Sequence, residues 1–263
     1  MPDRQAALSE AQIDQFVHEG YVRIDDAFPR DIADACRAIL WLATGCAPDA
    51  PSTWTQPVVR LGEFAAPPFR AAANTSKLLA AFDSLVGVDR WLPRVSLGTF
   101  PIRFPSPEEP GDCGWHIDPS FGWENEPNFL EWRANVASKG RALLMLFLFS
   151  DVGDDDAPTR LRVGSHVEIA RRLAPHGDRG LTLRELASKE FRESAHLPEA
   201  LATGRAGTVY LCHPFLVHAA QPHRGSVPRF LAQPPLLPRG PFDPHRTDGH
   251  DSAVERAIRL ALD

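Results

Sequence analysis

The run Ala142-Leu143-Leu144-Met145-Leu146-Phe147-Leu148-Phe149, closed off by Arg141 and Ser150, is the longest apolar stretch of the chain. A membrane-spanning helix needs about 20 apolar residues, so this stretch is too short to be one. It reads as a β-strand, and it is one of a series. β-like runs precede it at residues 95–104 and 114–118 and follow it at 160–163, 208–212, 215–220 and 229–233, with Gly-, Pro- and Asp-rich turns between. Short strands spaced by such turns are the pattern of a sandwich or barrel.

Toward the N-terminus the period becomes helical. Ser9 is placed as an N-cap with Gln12 in the capping-box position, Ile13, Phe16 and Val17 form an apolar face, and Gly20 ends the helix. Tyr21-Val22-Arg23-Ile24 then alternates like a short strand. Residues 31–42 and 74–86 carry further amphipathic helices, the second capped by Asn74 or Thr75. Two insertions interrupt the β series. Residues 119–140 hold Phe121, Trp123, Phe129 and Trp132, and residues 167–204 contain a helix candidate at 181–191.

With no internal repeat and no low-complexity tract, the expected organisation is one domain over residues 1–263. It has a helical part to about residue 93, a β core over about 94–237, and a tail at 238–263 ending in a helix-like run, 252–262. The insertions 119–140 and 167–204 are expected to form a lid, since functional variation sits on loops over a rigid scaffold.

Lys and Arg number 28 against 34 Asp and Glu, a formal charge of −6. That balance excludes a general binder of nucleic-acid backbone, which needs clustered positive charge. A local basic pocket for an anionic small molecule stays open, with Arg133, Arg141 and Arg162 as candidates. Residues 1–9 are polar, without the basic and apolar regions of a signal peptide. Cys36, Cys46, Cys113 and Cys212 show no C-x-x-C spacing and read as free thiols of a reducing cytosol. The expectation is a cytoplasmic protein with no nucleic-acid or membrane partner.

The chemistry lies in Gly114-Trp115-His116-Ile117-Asp118. On an extended chain residues two apart share a face, so His116 and Asp118 converge while Ile117 turns away. A histidine from a later strand completes a two-histidine, one-carboxylate set, which leaves adjacent positions open on a non-haem iron. His213, His218 and His223 are the candidates. Pro214 follows the first and the third sits in the turn Pro222-His223-Arg224-Gly225-Ser226, whereas His218 lies inside an apolar run. If the chain turns between Arg224 and Gly225, Ala220 faces Arg229 and His218 faces Leu231, and Arg229 projects to the face of His218. An arginine there suits a carboxylate, whose two oxygens match its fork of donors.

These residues resemble the phytanoyl-CoA dioxygenase family. His116-Ile117-Asp118, His218 and, eleven residues on, Arg229 match its motif, Gly164-Ser165-His166 is similar to its G-S-H segment, and the helix leading into Gly20-Tyr21-Val22 is similar too. The likeness runs over residues 9–235. It implies a mainly β fold with flanking helices: a double-stranded β-helix (jelly-roll, cupin-like) core with the N-terminal helices packed outside. It also implies an iron(II)- and 2-oxoglutarate-dependent dioxygenase that hydroxylates a C–H bond of a small molecule with molecular oxygen, releasing succinate and carbon dioxide. His116, Asp118 and His218 would then be the metal ligands and Arg229 the co-substrate anchor, with Thr99 or Arg103 holding the metal-proximal carboxylate.

The chain departs from the family pattern at Ala220, where a serine is frequent, and at Val163, where a proline is. Asp118 in place of Gly or Ala leaves no vacancy for halide and favours hydroxylation. Phe121, Trp123, Phe129 and Trp132 are candidates for the substrate wall or for a small core of the lid itself. His166, His213 and His223 read as structural or turn residues, and Asp154-Asp155-Asp156 as a solvated turn without the ligand spacing of a calcium loop. The competing functions are a non-oxidative cupin-like isomerase or hydrolase on zinc or manganese, and a catalytically silent jelly-roll binding protein.

Overall fold

A computed structural model describes residues 8–246 and 248–263. The polar N-terminal stretch noted above lies outside the described residues up to Ala7, as does Thr247 in the tail.

The strands are β1 (Tyr21–Ile24), β2 (Val58–Leu61), β3 (Trp91–Leu92), β4 (Phe100–Arg103), β5 (Arg133–Ala134), β6 (Leu143–Leu148), β7 (Arg160–Arg162), β8 (Leu181–Thr182), β9 (Glu199–Leu201), β10 (Val209–Cys212), β11 (His218–Ala219), β12 (Leu231–Ala232) and β13 (Pro235–Pro238). The helices are α1 (Glu10–Glu19), α2 (Arg30–Thr44), α3 (Pro67–Ala73), α4 (Ser76–Val86), α5 (Ser165–Leu173), α6 (Leu183–Ala187) and α7 (Ala253–Leu262).

β6, inside the apolar run, is the spine of the main sheet, which runs β1-β10-β6-β13-β3 with β12 also paired to β6. Every residue of β6 is buried because both faces are covered. Leu143, Met145 and Phe147 point into a core shared with Phe16 of α1, Cys36 and Leu40 of α2, Phe82 of α4 and Ile258 of α7. Leu144, Leu146 and Leu148 point the other way, onto Leu161 of β7, Leu216 and Leu231. That second core separates the main sheet from a smaller sheet, β11-β7-β9. The unbroken apolar pattern of 142–149 thus has a physical cause in a strand that meets helices on one side and a second sheet on the other.

The N-terminal helix forms as its capping box directs. Ser9 Oγ accepts from Gln12 N at 3.3 Å, and Gln12 Oε1 accepts from Ser9 N at 3.0 Å. Gly20 ends it at φ 85°, and a Cβ there would meet His166 Nδ1 at 2.5 Å, so this position needs glycine twice over. The turn delivers β1 onto β10, and β2 pairs with β4. The main sheet therefore recruits β1, and a separate two-stranded sheet recruits β2, from the part expected to be helical. Within the 181–191 candidate, only Leu183–Ala187 is helical, behind the short strand β8.

Two expectations are corrected. Residues 114–118 form a single bridge, His116 with His218, rather than a strand. The proposed hairpin of His218 and Arg229 does not exist: β11 pairs with β7 in the small sheet, and β12 with β6 in the large one. Pro222 and Pro228 explain it, since neither can donate to the ladder that a tight hairpin needs at those positions. The chain crosses between sheets there instead.

Candidate metal centre and its cavity

His116 and His218 exchange backbone hydrogen bonds, N to O at 3.0 Å one way and 2.9 Å the other. In such a pair the side chains leave on the same side, and the two rings lie with centroids 4.3 Å apart. Ser165 Oγ, in the G-S-H segment, accepts from Val217 N at 2.8 Å and so fixes the residue before His218. His116 Nδ1 lies 2.9 Å from Gly114 O and His218 Nδ1 lies 3.0 Å from Leu216 O. A carbonyl only accepts, so each Nδ1 carries the proton and each Nε2 presents a lone pair.

Asp118 closes the group. Its Oδ1 is 4.0 Å from His218 Nε2, and the ligand atoms of all three residues lie within 4.8 Å of one another. Among the described residues this is the one cluster of three or more His, Cys, Asp or Glu side chains able to hold a metal. Burial, with His116 beside it, brings the His218 imidazole down to about 4, so it is neutral at neutral pH as a ligand must be. Burial pushes Asp118 up, but Arg141 and then the two histidines outweigh it and hold the carboxyl below its usual range. Two neutral imidazoles and one ionised carboxylate suit divalent iron, and zinc or manganese as well.

The outer oxygen of Asp118, Oδ2, is 3.1 Å from Arg141 Nη1. Arg141 was one of three arginines eligible for an anionic ligand. The other two are engaged elsewhere, Arg133 on the carbonyls of Arg179 and Gly180 and Arg162 on Phe191 O and Ser194 Oγ. With Oδ2 on Arg141, Asp118 offers Oδ1 alone to a metal. We expect Arg141→Gln to weaken cobalt(II) or iron(II) affinity by about 10–100-fold, the usual size of a lost outer-sphere contact, and Arg141→Lys to recover part of it. Competition against a chromophoric chelator measures both, and unchanged affinity in Arg141→Gln would rule the contact out.

The centre opens into a cavity of about 730 Å³. His116 and Asp118 line it, and so do Thr99, Arg103, Arg229 and Gln233. Arg103 and Arg229 are buried neighbours whose backbones pair, N to O at 3.1 and 2.8 Å. Arg229 donates to Ala157 O and Pro101 O, leaving its Nε without a partner. Arg103 donates to Asp112 Oδ1 at 2.7 Å, while its Nε and Nη1 have none. Burial, then Arg103, lower the Arg229 guanidinium to about 9, still charged at neutral pH. Two buried guanidiniums therefore face the cavity with one carboxylate between them.

No protein-family model matches the chain, and no curated protein matches it by sequence. Solved structures do match. The non-haem alpha-ketoglutarate-dependent carbocyclase SnoK, from nogalamycin biosynthesis, superposes with a TM-score of 0.59 over 92% of this chain and 89% of its own, at 17% identity. HygX from Streptomyces hygroscopicus, with nickel and 2-oxoglutarate bound, gives 0.54 over 87% and 86%, at 19% identity. EctD from S. alaskensis, with 2-oxoglutarate and 5-hydroxyectoine, gives 0.56 over 91% and 78%, at 21% identity. The chain shares their fold.

On this fold the aromatic candidates divide between the two readings. Phe121, Trp123 and Trp132 do not line the cavity; Phe129, Leu130 and Trp115 do. Phe121 bridges to Arg133, and Trp132 stacks edgewise on Trp123 and Phe129 at 6.0 and 5.1 Å, so the insertion spends most of its aromatics on itself. Trp115 was overlooked although it adjoins His116. Its ring lies under Arg160 and Arg162, 4.5 and 4.0 Å from the guanidinium carbons, which ties the ligand loop to β7. His166, His213 and His223 are structural: His166 Nε2 reaches Val17 O, and the other two accept from the backbone of the turns they occupy. All four cysteines are free, and no described helix is long and apolar enough to cross a membrane.

Proposed function

We propose that this chain is an iron(II)- and 2-oxoglutarate-dependent dioxygenase of the phytanoyl-CoA dioxygenase type, hydroxylating a C–H bond of a small molecule. The observation that carries the reading is one cavity with a two-histidine, one-carboxylate cluster and a buried pair of arginines short of one carboxylate. A keto diacid answers both halves, one end for the metal and a far carboxylate for the guanidiniums. The two sheets would then be the walls of a double-stranded β-helix within one domain spanning residues 1–263.

His116, Asp118 and His218 hold the metal in this reading. When bound, iron with its keto acid supplies the oxidising chemistry: dioxygen and 2-oxoglutarate become succinate and carbon dioxide, and R–H becomes R–OH. The chain's own part is placement. Arg141 keeps Asp118 to a single ligating oxygen, and Arg229 with Arg103 takes the far carboxylate. Arg103 adjoins Arg229, which favours it for the far end of the co-substrate over the metal-proximal end. Thr99 remains for the proximal carboxylate, and Ala220, also on the cavity wall, offers no hydroxyl. The insertions meet through Arg184 and Glu131 at 2.7 Å and form the lid. A zinc or manganese hydrolase could use the same three ligands, but it has no use for two buried guanidiniums.

Anaerobic titration of the metal-free protein with iron(II) and 2-oxoglutarate tests the proposal. We expect the weak visible charge-transfer band of the chelate to develop only when both are present. Folded protein that takes up zinc yet gives no band with iron and 2-oxoglutarate would refute it.

A further inference from the structure

The cavity carries more positive charge than a metal-bound keto acid cancels. Arg60, Arg103 and Arg229 line one wall, and Asp112 is the acid among them, with Oδ1 at 2.7 Å from Arg103 and Oδ2 at 2.5 Å from Arg60. Arg141 adds a fourth guanidinium, on Asp118. A divalent metal would be balanced by Asp118 and the metal-bound carboxylate of the keto acid, which leaves four guanidiniums against Asp112 and the far carboxylate. The surplus does not fall on the buried pair, because Asp112 and the far carboxylate of the co-substrate match Arg103 and Arg229. It falls on Arg141, 12% exposed and held against Asp118, and on Arg60 at the entrance, whose side chain is 60% exposed and so open to a ligand. The chain as a whole carries −6, so a positive cavity in it selects anions against the general field.

The same cavity has an apolar side. Phe129 and Leu130 are 49% and 41% exposed on it, with Leu183 buried beneath them. They sit on the short helix Phe129–Glu131, which Leu183 N holds by a 2.8 Å hydrogen bond to Trp132 O. Large apolar side chains left open over a cavity are the mark of a ligand's apolar surface.

We infer that the substrate is an organic anion whose carboxylate or phosphate is recognised by Arg60 at the entrance and whose apolar body lies against Phe129, Leu130 and Leu183. This deepens the oxygenase reading and rests on it. The contact of Arg60 with Asp112 is no obstacle. An exposed ion pair is worth little, and a ligand acid takes the place of half of it while Asp112 keeps Arg103.

The test uses full-length protein loaded anaerobically with iron(II) and saturating 2-oxoglutarate. The probes share one chain length: decanoate, decyl phosphate, decanol and decyltrimethylammonium. Binding is read from the shift of the chelate band and from tryptophan emission, since Trp115 lines the cavity. Decanoate or decyl phosphate is expected to bind at least tenfold more tightly than decanol, with the cation not binding; which of the two anions wins names the acid group. Arg60→Gln should remove the tenfold preference without changing the Kd of decanol, and Arg60→Lys should restore part of it. Leu130→Ala should weaken anions and decanol alike. Decanol binding as tightly as the anions, or anion affinity unmoved in Arg60→Gln, overturns the proposal, as does a chelate band indifferent to every probe. Absence of the band before any probe is added is a different failure, that of the oxygenase reading. Tryptophan emission then still decides whether Arg60 discriminates anions.

Discussion

An Asp118→Ala protein is expected to lose about two orders of magnitude in iron(II) affinity and, with them, the chelate band. Asp118 is the sole anion among the three candidate ligands, and its removal does more than subtract a charge. Arg141, with a side chain only 12% exposed, is left facing the vacated position from a point 3.1 Å away. Stripping one partner from a buried ion pair costs roughly 3–5 kcal/mol. Asp118 is 25% exposed, so the lower end applies, about 3 kcal/mol of fold stability. The loss of metal affinity is a separate effect, at least the roughly 100-fold upper end for an outer-sphere contact, because here a candidate ligand itself is removed. The double variant Asp118→Ala/Arg141→Leu separates ligation from folding. It removes the stranded cation, so thermal stability of the metal-free protein should return toward wild type while metal affinity stays low. Metal-dependent melting curves read both quantities. Asp118→Ala that keeps a wild-type metal-induced rise in Tm would show that this carboxylate is not a ligand.

The parity argument brings the side chains of His116 and Asp118 together without the strand it assumed. It needs only that the two residues share a face, and a single bridge at His116 stands in place of a strand. His218 rather than His213 or His223 joins the cluster: an apolar run signals a position inside the fold, whereas each turn histidine accepts from its own backbone through Nδ1. The hairpin that was to align Arg229 with His218 fails, yet Arg229 still lines their cavity. Both sheets face that space, so an inward residue on either reaches it, and the sequence alone does not say which sheet a strand joins.

What stays illegible depends on distant contacts. Nothing in the local pattern around Arg141 announces Asp118, and Asp112 lies in a loop whose course carries no periodic signal. Likewise an aromatic insertion shows that apolar surface will be covered, but not whether the lid or the ligand covers it. Trp123 and Trp132 pack on each other, and Phe129 borders the cavity.

The second large effect is expected at Arg229, where function and stability should part. In Arg229→Met, affinity for 2-oxoglutarate should fall by roughly 2–5 kcal/mol, that is thirtyfold to several thousandfold, because the far carboxylate meets a shortened donor set in a buried place. The stability of the ligand-free protein should barely move. Two terms oppose each other there. Replacing a buried charge by an apolar side chain of similar volume can stabilise a fold by about 1–4 kcal/mol. In this protein the relief is enlarged by Arg103, which stands beside Arg229 as a like charge. Against it stand the carbonyls of Ala157 and Pro101, which lose the donors Arg229 gives them. Each buried acceptor left unpaired costs about 1–3 kcal/mol. The two carbonyls together cost about 2–6 kcal/mol, and the relief of about 1–4 kcal/mol, enlarged by Arg103, offsets most of that, so the net change is expected within about 2 kcal/mol of zero. Saturating 2-oxoglutarate should raise the Tm of the metal-loaded wild type and not that of the variant. A variant that unfolds outright would mean that Arg229 is a structural tie between β4 and the loop at Ala157. A variant that keeps its ligand-induced rise would move the anchor to Arg103, whose Nε and Nη1 already stand without partners in the same cavity wall.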